Sequence, residues 1–327
     1  MTDATCCLIR LVYLSYSYRM KLHQDAQFVP SRENISSLLA RYGQELISYK
    51  PADSGIENCT VIAQAMSGIY VLRVYRQHKK SDKEIERELE FVAYLGRHSI
   101  PVALPIVNLN KESISHMEQD GYTWQAILMQ YMPGGHPDYY SKGLLKSLAT
   151  IQAKMHNLAA VYQPGDVVEE GPTELRETRF LKLIQNREVL NPQQRELIER
   201  ADGYVLNLSN ALPRGLCHLD FGSGNALATD DTVTAVLDFD DLAFVPYAMC
   251  LAYTLWDIAY NVGLDSTAPY IEVYETYRPL TAYEKDALKP LMLFRHYMVA
   301  CILTANDHMN ASKLARYLAL ESELLTH

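Results

Sequence analysis

The chain of 327 residues lacks several features that define whole classes of proteins. No segment approaches the roughly 20 apolar residues of a membrane-spanning helix, which argues against a membrane partner. The six cysteines form no C-x-x-C pair and have no zinc-ligand spacing, so they indicate reduced thiols in a cytoplasmic protein. Basic residues are fewer than acidic ones, and the net charge of −9 argues against nucleic-acid binding. This charge fits a neutral or cationic small substrate, and it equally fits a mildly acidic protein kept soluble by its charge.

The N-terminal segment lacks the basic residues that precede the apolar core of a secretion signal. Its short apolar run also carries Arg10. We therefore interpret residues 1–19 as a non-structural extension, with Met20 as an alternative start. Repeats and low-complexity linkers are absent from the sequence, and the apolar share of 48% is typical of a globular protein.

The order of the predicted elements indicates an α+β fold with two lobes. The first lobe, residues 20–132, is expected to contain a small antiparallel sheet and one long helix. That helix, at 81–97, begins with a Ser81–Glu84 capping box, and Ser67-Gly68 is expected to turn a hairpin. A shorter helix is predicted at 34–43, and strands at 45–50, 59–66, 69–76, 102–109 and 123–132.

Pro133-Gly134-Gly135 breaks the pattern, and the second lobe, residues 133–327, reads as mainly helical. Short strands near 216, 226 and 235 interrupt the helices. The helices are predicted at 138–161, 173–190, 192–211, 246–263, 266–278, 281–307 and 309–325.

Two charged residues of the first lobe lie on apolar faces. Glu88 shares the helical stripe of Ile85 and Val92, and Arg73 lies within an apolar strand. Because an unpaired buried charge is costly, Arg73 and Glu88 are expected to pair with each other. On this lobe alone, a structural ion pair is as good an interpretation as a functional one.

The stretch GLCHLDFGSGNALATDDTVTAVLDFDD, residues 215–241, concentrates the polar groups that carry chemistry. His218, Asp220 and Asn225 share a glycine-containing loop. Alternation in the next strand places Asp238 and Asp240 on one side of its end. Carboxylates and an amide form a hard-oxygen site suited to Mg²⁺, and Asp220 is left to accept a proton from a hydroxyl group.

This division of roles is that of phosphoryl transfer, which depends on positioning and charge neutralisation more than on covalent chemistry. The spacing H-x-D-x-x-x-x-N, followed by a metal-binding Asp, agrees with the protein-kinase pattern. The hydrolase elbow G-x-S-x-G is not formed around Ser223, and no second His motif completes a metal set with His218.

HLDFGSGN and VLDFDD resemble the catalytic and metal-binding loops of the aminoglycoside phosphotransferase/choline kinase-like family, which has a protein kinase-like fold. In the small lobe, the strand of the family is matched by YVLRVYR, its helix by EIERELEFVAYL and its hinge by ILMQYMPGG, each as a resemblance. Another of its helices is similar to LATIQAKMHNL. The small-lobe pattern is also similar to homoserine kinase type II and stress response kinase A. The resemblance extends from about Asn58 to the C-terminal helices and implies ATP or GTP, with Mg²⁺, as cofactors.

The resemblance implies a role for each matching position. Asp220 would be the catalytic base, with His218 bracing its loop. Arg73 would bind phosphate, with Glu88 as its acidic partner. The main chain of Gln130 and Met132 would bind adenine. Asn225 and Asp238 would bind Mg²⁺. Asp240 and Asp241 would contact metal or substrate, or lie on a solvated loop.

Three positions depart from the family pattern. Arg73 stands where many kinases have Lys, although Arg also holds phosphate. The nucleotide-covering loop near 53–58 contains little glycine. Cys250 replaces an Asp that normally braces the catalytic loop, and Asp257 would have to act from two helical turns further on.

Three hypotheses follow. The leading one is a kinase of a small hydroxylated molecule such as an amino alcohol, an amino sugar or a homoserine-like compound. A protein Ser/Thr kinase of the stress response type is the second, and a non-catalytic nucleotide-binding pseudokinase is the third. The acceptor is not encoded in any recognisable motif, and neither is the oligomeric state.

Overall fold

The computed structural model describes residues 28, 31–52, 58–76, 80–137, 140–163, 211–305 and 311–326, with isolated positions between 192 and 204. The segment 1–19, the loop 53–57 and the helix predicted at 173–190 lie outside the described residues, as does most of the helix predicted at 192–211. Within the described part, no helix is both long and apolar enough to cross a membrane.

The first half of the chain forms a six-stranded antiparallel sheet. Its strand order is β1-β2-β3-β6-β4, with β5 also paired to β6. The strands are β1 (Leu46–Pro51), β2 (Cys59–Ala65), β3 (Gly68–Val74), β4 (Pro105–Ile106), β5 (Ser115–Gln119) and β6 (Tyr122–Gln130). The predicted β2–β3 hairpin is confirmed. Its turn lies one residue earlier than expected, at Met66-Ser67, and Gly68 opens β3 at φ 155°, a value that favours glycine.

Two strands differ from the sequence-based expectation. The strand predicted at 102–109 shortens to β4, because Pro101 and Pro105 have no amide hydrogen to donate to a ladder. Strand β5 was not predicted. In this strand, buried Ser115 and Met117 alternate with more exposed neighbours. Because most of its residues are polar, the hydrophobic alternation that predicts a strand is weak in the sequence.

The helices of the first half begin where their caps are. Helix α1 (Arg32–Ala40) starts at Ser31, whose hydroxyl accepts from the Asn34 amide. Helix α2 (Asp82–Arg97) has the predicted capping box, in which Ser81 and Glu84 satisfy each other's backbone amides. Its buried face includes Glu88, as the periodicity predicted.

The sheet is covered on both faces. One apolar cluster joins α1 to the sheet through residues such as Leu38, Leu72 and Trp124, and a smaller cluster joins α2 to the other face. The C-terminal end of α2, at Phe91 and Leu95, packs instead into the large cluster of the second half. Arg73 lies on the α2 side of β3, opposite the inward-facing Leu72.

The second half is mainly helical, as predicted. The helices are α3 (Lys142–Val161), α4 (Tyr247–Asn261), α5 (Thr267–Tyr277), α6 (Ala282–Ala305) and α7 (Ala311–Thr326). Two short antiparallel pairs lie beside them: β7 (Arg214–His218) with β10 (Leu242–Pro246), and the hairpin of β8 (Ala226–Thr229) with β9 (Thr232–Val236). Helix α4 is buried along nearly its whole length and lies at the centre of this half.

The Pro-Gly-Gly segment after β6 is bonded to the β8–β9 pair. Gly135 and Ala228 exchange two backbone hydrogen bonds of 3.0 and 2.9 Å, and the Thr234 hydroxyl donates to the Pro133 carbonyl at 2.6 Å. At Gly134, where φ is 120°, a Cβ atom would approach the Thr234 hydroxyl oxygen to 2.5 Å. Glycine is therefore required for this close approach of the linking segment to the hairpin.

Candidate active site

The loop after β7 is fixed by the imidazole of His218. The ring is buried, its Nε2–H donates to the Leu237 carbonyl at 2.7 Å, and its Nδ1 accepts from the Asp220 amide at 3.3 Å. One side chain thus ties the segment that carries Asp220 to the segment that carries Asp238. These contacts agree with the bracing that was predicted for His218.

Asp220 and Asn225 are in direct contact. The side-chain nitrogen Nδ2 of Asn225 donates to the main-chain carbonyl of Asp220 at 2.9 Å and to Asp220 Oδ2 at 2.8 Å. Both amide hydrogens are then used, which leaves the Asn225 side-chain oxygen as an acceptor. The Leu237 amide also donates to the Asn225 carbonyl at 2.8 Å, so Asn225 lies beside the start of the Asp238 segment.

The alternation predicted for Asp238 and Asp240 is wrong, although both acids reach one site. Strand β9 ends at Val236, which is buried, and Asp238 has a left-handed backbone with φ 59°. Asp240 follows in a short 3₁₀ turn, Phe239–Asp241. Asp is among the residues that tolerate this left-handed conformation, and the turn brings both carboxylates towards Arg73.

Arg73 bridges the two halves of the molecule. Its Nη2 lies 2.7 Å from Asp238 Oδ1 and 2.8 Å from Asp240 Oδ2, and its Nη1 lies 3.8 Å from Glu88 Oε1. Burial by itself would lower the pKa of the guanidinium, but these acids, Asp240 foremost, raise it above its ordinary value. Arg73 is therefore a permanent positive charge at this position.

Glu88 pairs more closely with a residue that sequence reasoning missed. Lys80 Nζ lies 2.5 Å from Glu88 Oε2 and 3.2 Å from Asp240 Oδ1. Burial raises the pKa of Glu88, and the nearby charge of Lys80 opposes that rise. The predicted Arg73–Glu88 pair exists, but Lys80 is the nearer partner. Lys80 ends the polar run QHKK ahead of the capping box, and that run carries no pattern that would have identified it.

Asp240 and Asp241 have different surroundings. Asp240 is 9% exposed, bonds to Arg73 and Lys80, and accepts from the Asn58 side chain at 2.6 Å. The solvated-loop interpretation therefore does not apply to Asp240. Asp241, in the same turn, is exposed.

The hinge residues lie where β6 ends. The Gln130 amide donates to the Leu104 carbonyl at 2.9 Å, so this amide is already used within the protein. An adenine contact at this residue would have to use its carbonyl group. Met132 follows the last strand residue and directly precedes the Pro133–Gly135 segment.

A cavity of about 90 Å³ opens beside Asp220. Its lining residues are Leu219, Asp220, Phe221, Gly222, Gly224, Asn225, Tyr253, Asp257 and Arg295. Arg295 Nη2 lies 2.9 Å from Asp220 Oδ1, and its guanidinium stacks 4.7 Å above the Tyr253 ring. Sequence reasoning missed Arg295. It stands in the apolar run LMLFRHYM, so the signal that identified Arg73 was present there too.

Asp257 supports the same loop through a tyrosine. The Tyr140 hydroxyl donates to Asp257 Oδ2 and accepts from the Ser223 amide at 2.8 Å, while Asn261 donates to Asp257 Oδ1 at 2.9 Å. Burial raises the pKa of Asp257, and the bond from Tyr140 and the charge of Arg295 partly oppose this. Asp257 thus acts from two helical turns beyond Cys250, with Tyr140 covering the remaining distance.

Cys250 also contacts the catalytic loop. Its thiol donates to the His218 carbonyl at 3.1 Å, and one helical turn later the Thr254 hydroxyl donates to the Phe221 carbonyl at 3.0 Å. Although Cys250 replaces the expected Asp, position 250 therefore still makes a hydrogen bond to the catalytic loop.

Comparisons with known proteins agree with this architecture. The model of the phosphotransferase enzyme family matches residues 48–287, well over half of the chain. The chain therefore belongs to this family. The predicted membership and the prediction of a phosphotransferase are confirmed at that level.

Individual relatives are distant but cover most of the chain. A homoserine kinase of Afipia carboxidovorans is 22% identical over 80% of this chain and 79% of its own length. The amicoumacin kinase of Bacillus subtilis is 24% identical over 84% of this chain and 83% of its own length.

Solved structures show the same fold. The amicoumacin kinase hAmiN, in complex with AMP-PNP, Ca²⁺ and Ami, superposes with a TM-score of 0.72 at 18% identity, covering 90% of this chain and 93% of that one. A microcompartment-associated aminopropanol kinase gives 0.71 at 16% identity, covering 90% and 95%. The predicted two-lobed, kinase-like α+β fold is thereby confirmed.

Proposed function

We propose that this chain is a cytoplasmic kinase that transfers the γ-phosphoryl group of ATP, in the presence of Mg²⁺, to a hydroxyl group of a small molecule. One observation carries the proposal. Asn225 bonds to the Asp220 carboxylate and to the backbone amide of Leu237, and the next residue, Asp238, is paired with Arg73. Asp220 itself opens into a cavity. The kinases of homoserine, amicoumacin and aminopropanol among its relatives support an acceptor of this class.

The donor set suits Mg²⁺. Asn225 offers only its side-chain oxygen, because its amide hydrogens are bonded to Asp220, and Asp238 offers a carboxylate that is 47% exposed. Oxygen ligands of this kind are those that Mg²⁺ prefers, and the bound ion would neutralise charge on the phosphates. Asn225 and Asp238 would hold the ion, and Arg73 would bind phosphate oxygens.

Asp220 would orient the acceptor hydroxyl and accept its proton. Asn225 holds one carboxylate oxygen and Arg295 holds the other, while each oxygen keeps a further lone pair for the hydroxyl. The loop itself is held by His218 and Cys250. Such fixed orientation is what phosphoryl transfer requires of the protein.

The nucleotide would lie between the sheet and the helical half. We propose residues 20–132 as the nucleotide-binding lobe, residues 133–327 as the lobe of the catalytic loop and acceptor, and residues 1–19 as an extension. The main chain of Gln130 and Met132 would contact adenine, with Arg73 and Glu88 completing the cleft. The bonds between the Pro133–Gly135 segment and the β8–β9 pair support this junction.

The test is turnover of small hydroxylated molecules by the wild type and two variants. Asp220→Ala should lower turnover by roughly 10²- to 10⁴-fold, the range for a positioned acid or base, while Mg²⁺–nucleotide affinity stays close to that of the wild type. Asp238→Ala should instead weaken Mg²⁺–nucleotide binding. Undiminished turnover in Asp220→Ala would contradict the role assigned to this residue.

The same assay decides between acceptor classes. Labelled ATP is offered with pooled small hydroxylated metabolites in one arm and with a casein-like protein in the other. Transfer to metabolites supports the proposal, whereas transfer only to protein supports a protein Ser/Thr kinase. Nucleotide binding without transfer in either arm supports a pseudokinase.

A further inference from the structure

Three buried side chains converge next to the catalytic loop. They are His156 of α3, Cys217 of β7 and Cys250 of α4, and their possible metal-ligating atoms all lie within 4.8 Å of one another. Each of the three residues is at most 2% exposed. The spacing of the cysteines in the sequence does not reveal this trio, because its members belong to three different elements that only the fold brings together.

The chemistry of the trio is that of a soft metal site. Thiolate sulfur and imidazole nitrogen are ligands of Zn²⁺ and similar ions, whereas Mg²⁺ takes oxygen ligands. Bonds of about 2.3 Å to sulfur and about 2.0 Å to nitrogen place the ligand atoms of one tetrahedral ion roughly 3.5–3.8 Å apart. The three atoms, which lie within 4.8 Å of one another, would therefore need to approach by little more than about 1 Å.

Neighbouring side chains orient the ligands. His156 Nδ1 lies 2.6 Å from the Tyr274 hydroxyl oxygen, which also accepts from Arg278 Nη1 at 3.3 Å. This contact occupies one ring nitrogen and leaves Nε2 for an ion. Such a partner on the second nitrogen is typical of metal-binding histidines. Gln152 Nε2 donates to the Cys250 sulfur at 3.5 Å, a contact that also suits a thiolate.

A buried hydroxyl next to the trio lacks a hydrogen-bond partner. Tyr247 is 2% exposed, and its hydroxyl has no such partner among the residues that the structure describes. The ring centroids of Tyr247 and His156 are 5.0 Å apart. A Cβ atom at Gly215 would collide with this hydroxyl, and Gly215 and Cys217 face the same side of β7. The Tyr247 hydroxyl and the Cys217 side chain therefore lie on one side of the strand.

We propose that His156, Cys217 and Cys250 bind one divalent cation of the Zn²⁺ class, at a site separate from the oxygen site proposed for Mg²⁺. Each thiol gives up its proton to solvent as its sulfur bonds to the ion. Two thiolates and a neutral imidazole then neutralise the dication, which avoids a net charge in the interior. A water molecule in the fourth position would complete the coordination, and the Tyr247 hydroxyl would bond to it.

The site is coupled to the catalytic loop through Cys250. The Cys250 thiol donates to the His218 carbonyl at 3.1 Å, and a metal-bound thiolate has no proton to donate. The bound ion and this support of the loop therefore exclude each other. The metal site itself does not depend on the proposed function, because its ligands are not among the residues assigned to phosphoryl transfer.

The experiment uses Co²⁺ as the probe, with the full chain kept reduced. Because the trio is buried, the ion is offered during refolding from urea, and excess Mg²⁺ occupies the proposed oxygen site. The wild type should develop thiolate-to-Co²⁺ charge-transfer absorption and the intense visible bands of tetrahedral Co²⁺, saturating at one ion per chain. Zn²⁺ added afterwards should abolish both signals, because it favours four-coordinate sites of these ligands.

Variants of the trio and of its surroundings should weaken binding to different degrees. Tyr274→Phe removes the partner of His156 Nδ1 and should lower the affinity for Co²⁺ by roughly 10- to 100-fold, the range for a partner of a metal ligand. Cys217→Ser and Cys250→Ser each remove a ligand atom. Both should lower the affinity further than Tyr274→Phe does and reduce the charge-transfer absorption.

The other cysteines provide matched controls. Cys59→Ser changes a partly buried thiol in the first half of the chain, which is not a member of the trio. Cys6→Ser/Cys7→Ser removes two adjacent thiols of the N-terminal segment. Both variants should bind Co²⁺ as the wild type does.

Several results would overturn the site. Absence of the cobalt bands would show that the two thiols only make their hydrogen bonds, from Cys217 to the Val245 carbonyl at 3.8 Å and from Cys250 to that of His218. Bands that persist in both Cys→Ser variants of the trio, or that disappear with Cys6 and Cys7, would also overturn it. If neither variant of the trio folds, X-ray absorption of the Co²⁺-loaded wild type decides. Two sulfur ligands with nitrogen support the site, and a shell without two sulfur atoms overturns it.

Discussion

Arg73 should compete with a divalent cation for Asp238 when no nucleotide is bound. Its guanidinium lies 2.7 Å from Asp238 and 2.8 Å from Asp240, so it occupies carboxylate oxygens that we assign to the metal region. Arg73→Met removes the charge and keeps an apolar side chain of similar length. We therefore expect this variant to bind free Mn²⁺, a probe for the Mg²⁺ site, more tightly than the wild type.

The size of the effect follows from the exposure of the pair. The Arg73 side chain is 11% exposed and that of Asp238 is 47% exposed, so solvent screens the interaction substantially. A screened pair of this kind contributes about 1 kcal/mol at most. Its loss corresponds to an approximately 5-fold lower Kd for Mn²⁺.

Nucleotide binding should change in the opposite direction. If Arg73 contacts the phosphates, as we propose, its loss removes a charge-assisted contact and raises the KM for Mg²⁺–ATP by roughly 10-fold or more. The two effects together indicate an exchange of partners: Asp238 passes from Arg73 to the metal, and Arg73 passes to phosphate. A general loss of structure would weaken both kinds of binding.

The assay is calorimetric titration of the nucleotide-free protein with Mn²⁺. Lys80→Met is the control, because Lys80 contacts Glu88 and Asp240 but makes no recorded contact with Asp238 among the described residues. It should change the Kd for Mn²⁺ less than Arg73→Met does. Unchanged or weaker Mn²⁺ binding in Arg73→Met, or an equal gain in Lys80→Met, would refute the exchange.

Two further predictions concern stability. Burial lowers the pKa of His296 to about 3. Between about pH 6.5 and pH 3, His296 is therefore protonated in the unfolded chain and neutral in the folded chain, so acidification favours unfolding. On acidification from about pH 7.5 to 5.5, the wild type should lose roughly 1.4 kcal/mol of unfolding free energy that His296→Phe does not lose. Urea unfolding at both pH values measures this, and equal pH dependence would contradict it. Cys250→Ala removes the hydrogen bond from the thiol to the His218 carbonyl, so it should lower the free energy of unfolding by about 1 kcal/mol and also lower turnover. Cys250→Ser keeps a hydrogen-bond donor and should retain more of the stability and of the turnover. Turnover and urea unfolding of the pair decide this, and identical behaviour of Ala and Ser would contradict it.

The parts of the fold that the sequence predicts are those set by local rules. The capping box at Ser81, the β2–β3 hairpin and the inward position of Glu88 follow from neighbouring residues, and the structure contains all three. The convergence of Asp220 with Asn225 also follows from one short loop. Asp238 shows the limit of such rules, because its left-handed backbone ends the alternation expected of a strand.

The remaining site contacts join residues that are far apart in the chain. Lys80 and Asp240 are 160 positions apart, Tyr140 and Asp257 are 117 apart, and Asp220 and Arg295 are 75 apart. No local periodicity relates such residues, since their approach depends on the packing of the two halves. Arg295 could have been singled out, as a charge within an apolar helix, but its pairing with Asp220 could not.

Helix α4 explains how the loop stays ordered without an acid at position 250. Cys250, Thr254 and Asp257 are spaced by four and three residues, so they project from one face of the helix. The first two bond to loop carbonyls and the third reaches the loop through Tyr140. Support is thereby distributed over two turns of a buried helix, and a change of side chain at its first position alters one contact out of three. For this reason Cys250 is poor support for a pseudokinase.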